Sequence, residues 1–185
     1  MIKRYISLMI ISLFFLTTAA LANDDGEIPM AEIIQYMESV NSGDYANVIN
    51  HIPPAVLKKI AERAGKDTES FKPELQQELN RVGKGLGLSK MKPTSKGIES
   101  GILSDKNPYV QVPADIELKN NYDGTSIKLN SGLLGVKIDE KWYFVRNDDT
   151  YMLQYWKNEI RSINNLNITA PKPDNNSTSI NPYTR

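Results

Sequence analysis

The sequence predicts an α+β fold in which helices come first and an antiparallel sheet follows. Between residues 30 and 82, apolar residues recur every three or four positions, which is the spacing of amphipathic helices. From Val110 to Leu118, apolar and polar residues alternate, as they do in a strand with one buried face. Helices followed by a run of strands are typical of α+β domains. We expect the N-terminal helices to pack on a curved antiparallel sheet, with one more helix at the C-terminal end.

Four helices are predicted before the sheet. Gly43 is suited to end the first helix, and Asp44 can cap the start of the second. Pro54 belongs in the first turn of the third helix, and Pro73 in the first turn of the fourth. The apolar faces of the four helices are expected to be Ile33, Ile34, Met37 and Val40; Tyr45, Val48, Ile49 and Ile52; Val56, Leu57, Ile60, Ala61 and Ala64; and Phe71, Leu75, Leu79 and Val82.

Residues 83–96 differ in composition from the helical segment before them and the strand segment after them, because they are rich in glycine and lysine and contain no acid. This composition predicts a loop that crosses from the helices to the sheet. Gly83, Gly85 and Gly87 resemble part of a phosphate-binding loop. Such a loop follows a strand and continues through Lys-Ser/Thr into a helix. Here the glycines follow a helix, so a helix stop and a flexible loop are favoured.

The second half contains the strand signals. A weak strand is expected near residues 98–103, and Asp123-Gly124 predicts a hairpin turn after the strand ending at Leu118. Pro113 cannot donate a ladder hydrogen bond, which predicts an edge strand or a bulge. In the next strand the apolar positions change from odd to even numbers across residues 131–133, which predicts a β-bulge there. A strand over residues 141–145 and a helix capped by Asp148 or Asp149 complete the domain.

The first 22 residues have the form of a cleavable Sec-type signal peptide. Lys3 and Arg4 form a positive start, residues 6–16 form an apolar stretch, and Ala20-Leu21-Ala22 is a small-x-small cleavage box. A membrane span needs about 20 apolar residues, so this segment favours cleavage after Ala22 over an uncut anchor. We therefore expect a periplasmic or secreted mature protein with no stable membrane insertion.

The expected organisation is a signal peptide at 1–22, a polar leader at 23–29, a single domain at 30–164 and a polar tail at 165–185. The tail is rich in Asn, Pro, Ser and Thr. Its low apolar content cannot offset the entropy of ordering, so disorder is expected.

Composition excludes several chemistries. The chain has no cysteine and a single histidine, His51. Thiol catalysis is therefore excluded, and no metal or other cofactor is expected, because zinc sites usually need several His or Cys ligands. The 22 basic residues match the 22 acidic ones, and loss of Lys3 and Arg4 leaves a formal charge near −2. This balance argues against nucleic-acid binding, which needs a strong positive field.

Two segments carry a resemblance to a known superfamily. The first is Asn41-Ser42-Gly43-Asp44-Tyr45, which leads through Val48-Ile49 to Pro53-Pro54. The second is the terminal hairpin from Leu134 to Val145, with Trp142-Tyr143-Phe144-Val145 as its last strand. Over residues 30–147 the chain resembles the NTF2-like (cystatin-like, SnoaL-type) superfamily. The resemblance implies a bent sheet that wraps a helix into a cone, whose pocket serves catalysis or ligand binding, or is simply filled. The insertion at 54–96 and the last helix depart from the minimal pattern.

Three groups of ionisable residues are candidates for a functional site. His51 could act as a general base oriented by Asp44 or by an acid from the sheet, although its position at a helix end also suits a structural histidine. Asp115 and Glu117 share a strand face. The alternating residues Val112, Ala114 and Ile116 are apolar and form the opposite, core face, so both acids are expected to point to solvent. Arg81, Lys84, Lys90, Lys92 and Lys96 could form a patch for an anionic partner such as lipid headgroups or an acidic protein, or a solvated loop.

The aromatic residues near the end of the domain are expected mainly to fill the core. Trp142 and Phe144 share one strand face, Tyr143 takes the other, and Tyr155 and Trp156 lie on the last helix. The residues favour a non-catalytic exported binding module for a protein partner or a small apolar ligand. The alternatives are a cone-pocket enzyme of the isomerase, dehydratase or hydrolase type that uses His51, and an interaction protein of the envelope that uses the basic segment and the tail.

Overall fold

The computed structural model describes residues 28–94, 96–120, 123–168 and 172–173 of the 185-residue chain. The predicted signal peptide and most of the leader lie outside these ranges. The helices are α1 (Met30–Ser42), α2 (Tyr45–Asn50), α3 (Pro54–Arg63), α4 (Thr68–Gly85), α5 (Thr150–Glu159) and a short 3-10 helix (Arg161–Asn165). The strands are β1 (Leu86–Pro93), β2 (Glu99–Ile102), β3 (Pro108–Asn120), β4 (Ser126–Ile138), β5 (Lys141–Arg146) and β6 (Lys172–Pro173).

The strands form one curled antiparallel sheet, which confirms the predicted α+β fold. The main order is β1-β3-β4-β5, with β2 also pairing with β3 and β6 pairing with β4. Helices cover both faces of the central strands. One core lies between α1 and the sheet, and the other lies between the sheet and α2, α3 and α5.

Most helix ends follow the predicted local chemistry, but α4 begins at Thr68, so Pro73 lies inside this helix and not in its first turn as predicted. Gly43 ends α1 in the left-handed conformation with φ 73°, which glycine adopts without steric cost. The Asp44 side chain accepts a hydrogen bond from the Asn47 N–H at 3.2 Å and caps α2, as predicted. Asp149 caps α5 through the Met152 N–H in the same way. Ile34 and Val82 depart from the predicted apolar faces, because they are 45% and 41% exposed, whereas Tyr36 is buried in α1.

The predicted loop at 83–96 is largely wrong. α4 continues to Gly85, and residues 86–93 form β1, which pairs with β3 from Leu86↔Asn120 to Pro93↔Ala114. Pairing with a long neighbouring strand outweighs the weak β propensity of a Gly- and Lys-rich segment, because strand formation depends strongly on context.

Pro113 does not lie on an edge strand. β3 is central, with β4 on one side and both β2 and β1 on the other. The Pro113 carbonyl accepts the Thr94 N–H at 2.8 Å. The Pro113 nitrogen, which has no hydrogen to donate, lies on the same side of β3, at the junction where pairing passes from β2 to β1. The predicted bulge at 131–133 is also wrong, because β3 and β4 pair without a register shift from Tyr109↔Val136 to Lys119↔Ser126.

Ordered structure continues past the expected domain end at 164. The 3-10 helix includes Asn165, and Leu166 and Ile168 pack against the α5 side of the core. The expected disorder therefore does not apply to residues 165–168. Apart from Lys172–Pro173, the rest of the tail lies outside the described residues.

Candidate functional site

His51 lies at the end of α2, where its ring packs between α1 and β5. The ring centroids are 5.4 Å from Tyr36 and 5.7 Å from Phe144. The residue is only 9% exposed. His51 is therefore part of a buried aromatic cluster.

His51 forms one hydrogen bond within α2 and one to the sheet. Its Nδ1 lies 2.8 Å from the Asn47 carbonyl oxygen, and because a carbonyl can only accept, Nδ1 must carry the hydrogen. The His51 carbonyl in turn accepts the Phe144 N–H at 3.0 Å. Asp44, the expected orienting acid, instead caps α2 through Asn47. The structure does not bring the proposed His–Asp pair together.

The face of the sheet toward α1 is packed with apolar side chains. Ile33 and Met37 of α1 are 0% and 2% exposed, and they belong to one cluster with Val112 and Phe144. This is the position in which a cone pocket was expected. The side chains of α1 occupy it.

One polar cluster borders this packed face. Arg146 Nη2 donates to Asp148 Oδ2 at 2.7 Å, and Asp148 Oδ1 accepts the Ser131 hydroxyl at 3.1 Å. Burial raises the pKa of Tyr36 to about 12, partly offset by the nearby Arg146 charge. Sequence reasoning missed this cluster because its members come from α1, β4 and the end of β5.

The lysines of the predicted basic patch alternate with acids in the sheet. Lys90 lies opposite Glu117 and Lys92 opposite Asp115 in the β1–β3 pairing, and cross-strand neighbours of opposite charge attract each other. Both acids lie on the face away from α1, because Ala114 and Ile116 belong to the α1-side core. Asp115 is exposed, as predicted, whereas Glu117 is half-buried. Of the other patch residues, Arg81 pairs with Glu78, Lys84 lies in the last turn of α4, and Lys96 follows β1.

The remaining candidates from the sequence, the glycine run and the aromatic residues, lie in helices and strands of the fold. Gly83 and Gly85 end α4 and Gly87 lies in β1, so the order of a phosphate-binding loop is absent from this described segment. Phe144 belongs to the α1-side core, with Trp142 packed against it, whereas Tyr143, Tyr155 and Trp156 belong to the opposite core. The predicted core role of these aromatic residues is confirmed.

A cleft of about 270 Å³ lies on the sheet face opposite α1. Its floor is formed by neighbouring residues of β3 and β4, including Pro113 and Gly132, which pair with each other. Asn147 follows β5 and also lines the cleft. The cleft lies at the junction where β3 changes partner from β2 to β1, so a gap in the pairing adjoins it.

Asn147 is held by its backbone, and its side chain is buried. The Asn147 N–H donates to the Gly132 carbonyl at 2.8 Å, and the residue is 7% exposed. Its Oδ1 receives no hydrogen bond within the described structure. A Cβ on Gly132 would lie 2.6 Å from Asn147 Nδ2, so glycine at 132 makes room for this carboxamide. The only sequence signal for the site was a glycine inside a strand, where another group often approaches closely.

Comparison with protein-family models and with curated proteins gives no match to this chain. Among the helices that the structure describes, none is long and apolar enough to cross a membrane. Within the same ranges, no three acidic or histidine side chains converge in a way that could hold a metal ion. The packed interior and the Asn147 cleft are therefore the features from which a function can be inferred.

Proposed function

We propose that the protein is an exported, non-catalytic binding module with an NTF2-like fold that recognises a protein partner in the bacterial envelope. The observation that carries this proposal is the filled α1 side of the sheet. Ile33, Met37 and Phe144 are each no more than 2% exposed and occupy the space in which a cone pocket would otherwise lie. Binding then takes place on the outside of the fold.

A small apolar ligand is less well supported than a protein partner. The large apolar side chains pack against each other in two cores, one on each face of the sheet. The Asn147 cleft is bordered by amide and hydroxyl groups as well as by apolar ones. These groups suit a partner that forms hydrogen bonds.

The enzyme alternative requires His51 to reach a substrate. The ring is buried between Tyr36 and Phe144, and its Nδ1 hydrogen is used by Asn47. A general base needs a hydrogen-bonding path to the proton that it removes. The geometry of His51 favours a structural role.

Native mass spectrometry of the mature protein purified from its own envelope fraction tests the proposal. We expect a complex with one protein of fixed stoichiometry. Recovery of the protein with a bound small molecule, or a catalytic turnover abolished by His51→Ala but retained by Asn50→Ala, would contradict it. The mass of the free chain also reports whether cleavage follows Ala22, and therefore whether the protein is exported as proposed.

A further inference from the structure

We propose that the open edge of β4 binds an extended acidic segment of the protein partner, which pairs with β4 as an added strand and places an acidic side chain beside Lys128. The inference rests on the proposed function and specifies how the partner would be recognised. β4 spans Ser126–Ile138, and the part concerned is residues 126–130.

The first half of β4 extends beyond the strands that cover its outer side. β5 pairs with residues 133–138, and β6 pairs only with Leu129 and Asn130. Among the strands that the structure describes, none pairs with residues 126–128 on this side of β4. A strand edge of this kind accepts an extended peptide as an additional strand.

The backbone groups of Ser126 and Lys128 point to this open side. The Gly132 carbonyl accepts the Asn147 N–H at 2.8 Å on the β5 side of β4. In an antiparallel sheet the N–H and C=O of one residue point to the same neighbouring strand, and the direction reverses at each residue. Even-numbered residues of β4 therefore direct their backbone groups away from β3. Of the first three, β6 pairs with Asn130 but not with Ser126 or Lys128.

The charges on the sheet face away from α1 predict the chemistry of the added strand. Lys90 lies opposite Glu117, and Glu117 lies opposite Lys128, so charges of opposite sign alternate across three strands. Opposite charges on neighbouring strands stabilise a sheet. Lys128 is exposed, and an acidic side chain opposite it would extend this alternation by one more strand.

The surroundings of Lys128 favour a negative partner. Lys90, Lys92 and Lys128 are exposed and, together with Asp115 and Glu117, border a cleft of about 470 Å³ on this face. Three lysines beside two acids leave a positive balance that attracts a negative segment. A second copy of the chain would bring another Lys128 to this edge, and because like charges on neighbouring strands repel, a homodimer is disfavoured.

The other face of the added strand would adjoin apolar side chains. Ile127 and Leu129 are half-buried and alternate with Lys128, so they point to the α1 side of the sheet, where Leu129 packs against the core. A strand on this edge therefore suits acidic residues at alternate positions, with apolar residues between them.

The test is an NMR titration of the mature protein with the peptide Glu-Val-Glu-Val-Glu, acetylated at one end and amidated at the other. We expect saturable shifts of the backbone amides of Lys128, Asn130 and Lys172, because the peptide pairs in the antiparallel sense of β6 and displaces that two-residue strand. An N-methyl group on the central glutamate removes an N–H that points to β4 and should weaken binding by about tenfold. An N-methyl group on a valine, whose N–H points away from β4, is the matched control and should leave binding unchanged.

Charge reversal tests the role of Lys128. Lys128→Glu should lose the acidic peptide and bind Lys-Val-Lys-Val-Lys instead. Lys58→Glu, the same change at an exposed position of α3, should bind the acidic peptide as wild type does. Lys128→Gln removes the charge without placing a carboxylate beside Glu117, and it should weaken binding by about twofold to fivefold, the effect of one exposed ion pair.

Several results would overturn the inference. They are the absence of a saturable shift in wild type, equal affinity for the acidic and the basic peptide, and equal binding of the acidic peptide by wild type and Lys128→Glu. Binding to phosphatidylglycerol vesicles without binding to the peptide would assign the edge to a lipid surface instead. The chain continues from Pro173 to Asp174, so peptide binding by Asp174→Asn but not by wild type would assign the edge to the protein's own tail.

The failure of this inference is distinguishable from the failure of the proposed function. If the mature protein carries a protein partner in native mass spectra but the peptide titration fails, only the assignment of the β4 edge is wrong. If no protein partner is present, the proposed function itself is contradicted, whatever the peptide does.

Discussion

The backbone carbonyl of His51 accepts a hydrogen bond from the backbone N–H of Phe144 at 3.0 Å, and this contact fixes the end of α2 against the edge strand β5. Lys141 Nζ adds a second contact by donating to the Asn50 carbonyl at 2.9 Å. On the opposite edge, Asn41 pairs with Met91 of β1. Both outer strands of the sheet thus have backbone groups occupied by helical residues, which limits edge-to-edge association.

His51→Ala should destabilise the fold. The change removes the hydrogen bond to the Asn47 carbonyl and leaves a gap between Tyr36 and Phe144. We expect the free energy of unfolding to fall by about 1–3 kcal/mol. Urea unfolding of this variant, beside the neighbouring exposed Asn50→Ala as control, measures the effect. An unchanged free energy of unfolding would mean that the His51 side chain does not stabilise the fold.

Tyr36 should make stability depend on pH at the alkaline end. Burial raises its pKa to about 12 from the ordinary value of 10.0, so above pH 10 the unfolded chain loses this proton before the folded chain does. The stabilising contribution is complete below pH 10 and is lost as pH rises toward 12, at about 1.4 kcal/mol per pH unit.

The measurement for Tyr36 is the difference in unfolding free energy between wild type and Tyr36→Phe from pH 9 to 12. Burial also raises the pKa of Tyr143, but that residue is common to both proteins and cancels in the comparison. A difference that stays constant over this range would show that the Tyr36 hydroxyl is solvated.

Gly135→Ala should overpack the core. A Cβ at this position would lie 2.7 Å from Phe144 Cε1 and 2.8 Å from Val110 Cγ1, and both of those side chains are buried. The expected cost is about 1–3 kcal/mol in thermal or urea unfolding. Gly101→Ala is the matched control, since the three atoms nearest to its Cβ belong to the half-buried Tyr109 ring. Equal costs for the two variants would contradict this explanation.

Asn41→Ala should be among the more damaging polar substitutions. It removes both hydrogen bonds to Met91, which is 2% exposed, and leaves that residue's N–H and C=O without partners. We expect a loss of about 2–4 kcal/mol in urea unfolding, against a negligible effect of the exposed Asn80→Ala. Retained stability would mean that water replaces the carboxamide.

The sequence predicted the elements that depend on local chemistry better than those that depend on the whole sheet. The Gly43 and Asp44 helix signals were correct because caps are local. The change of parity in β4 was misread as a bulge. In the structure Leu133 packs toward α1 and Leu134 packs toward α5, because helices cover both faces there. A pattern along one strand cannot reveal a second covering layer.

The Asn147 cleft could not be predicted for a similar reason. Its groups come from β3, β4, the residue after β5 and the segment after the 3-10 helix. The sequence showed Gly132 as an interruption of a strand, but only the β4–β5 pairing shows that Asn147 fills the space above it. The missing hydrogen bond of Oδ1 is a property of the folded chain alone.

The most direct test of a protein-binding role is native mass spectrometry of the mature protein purified from its envelope fraction. We predict that the mature protein carries one protein partner at fixed stoichiometry. A wild-type protein that emerges alone, or with only a small molecule bound, would contradict it.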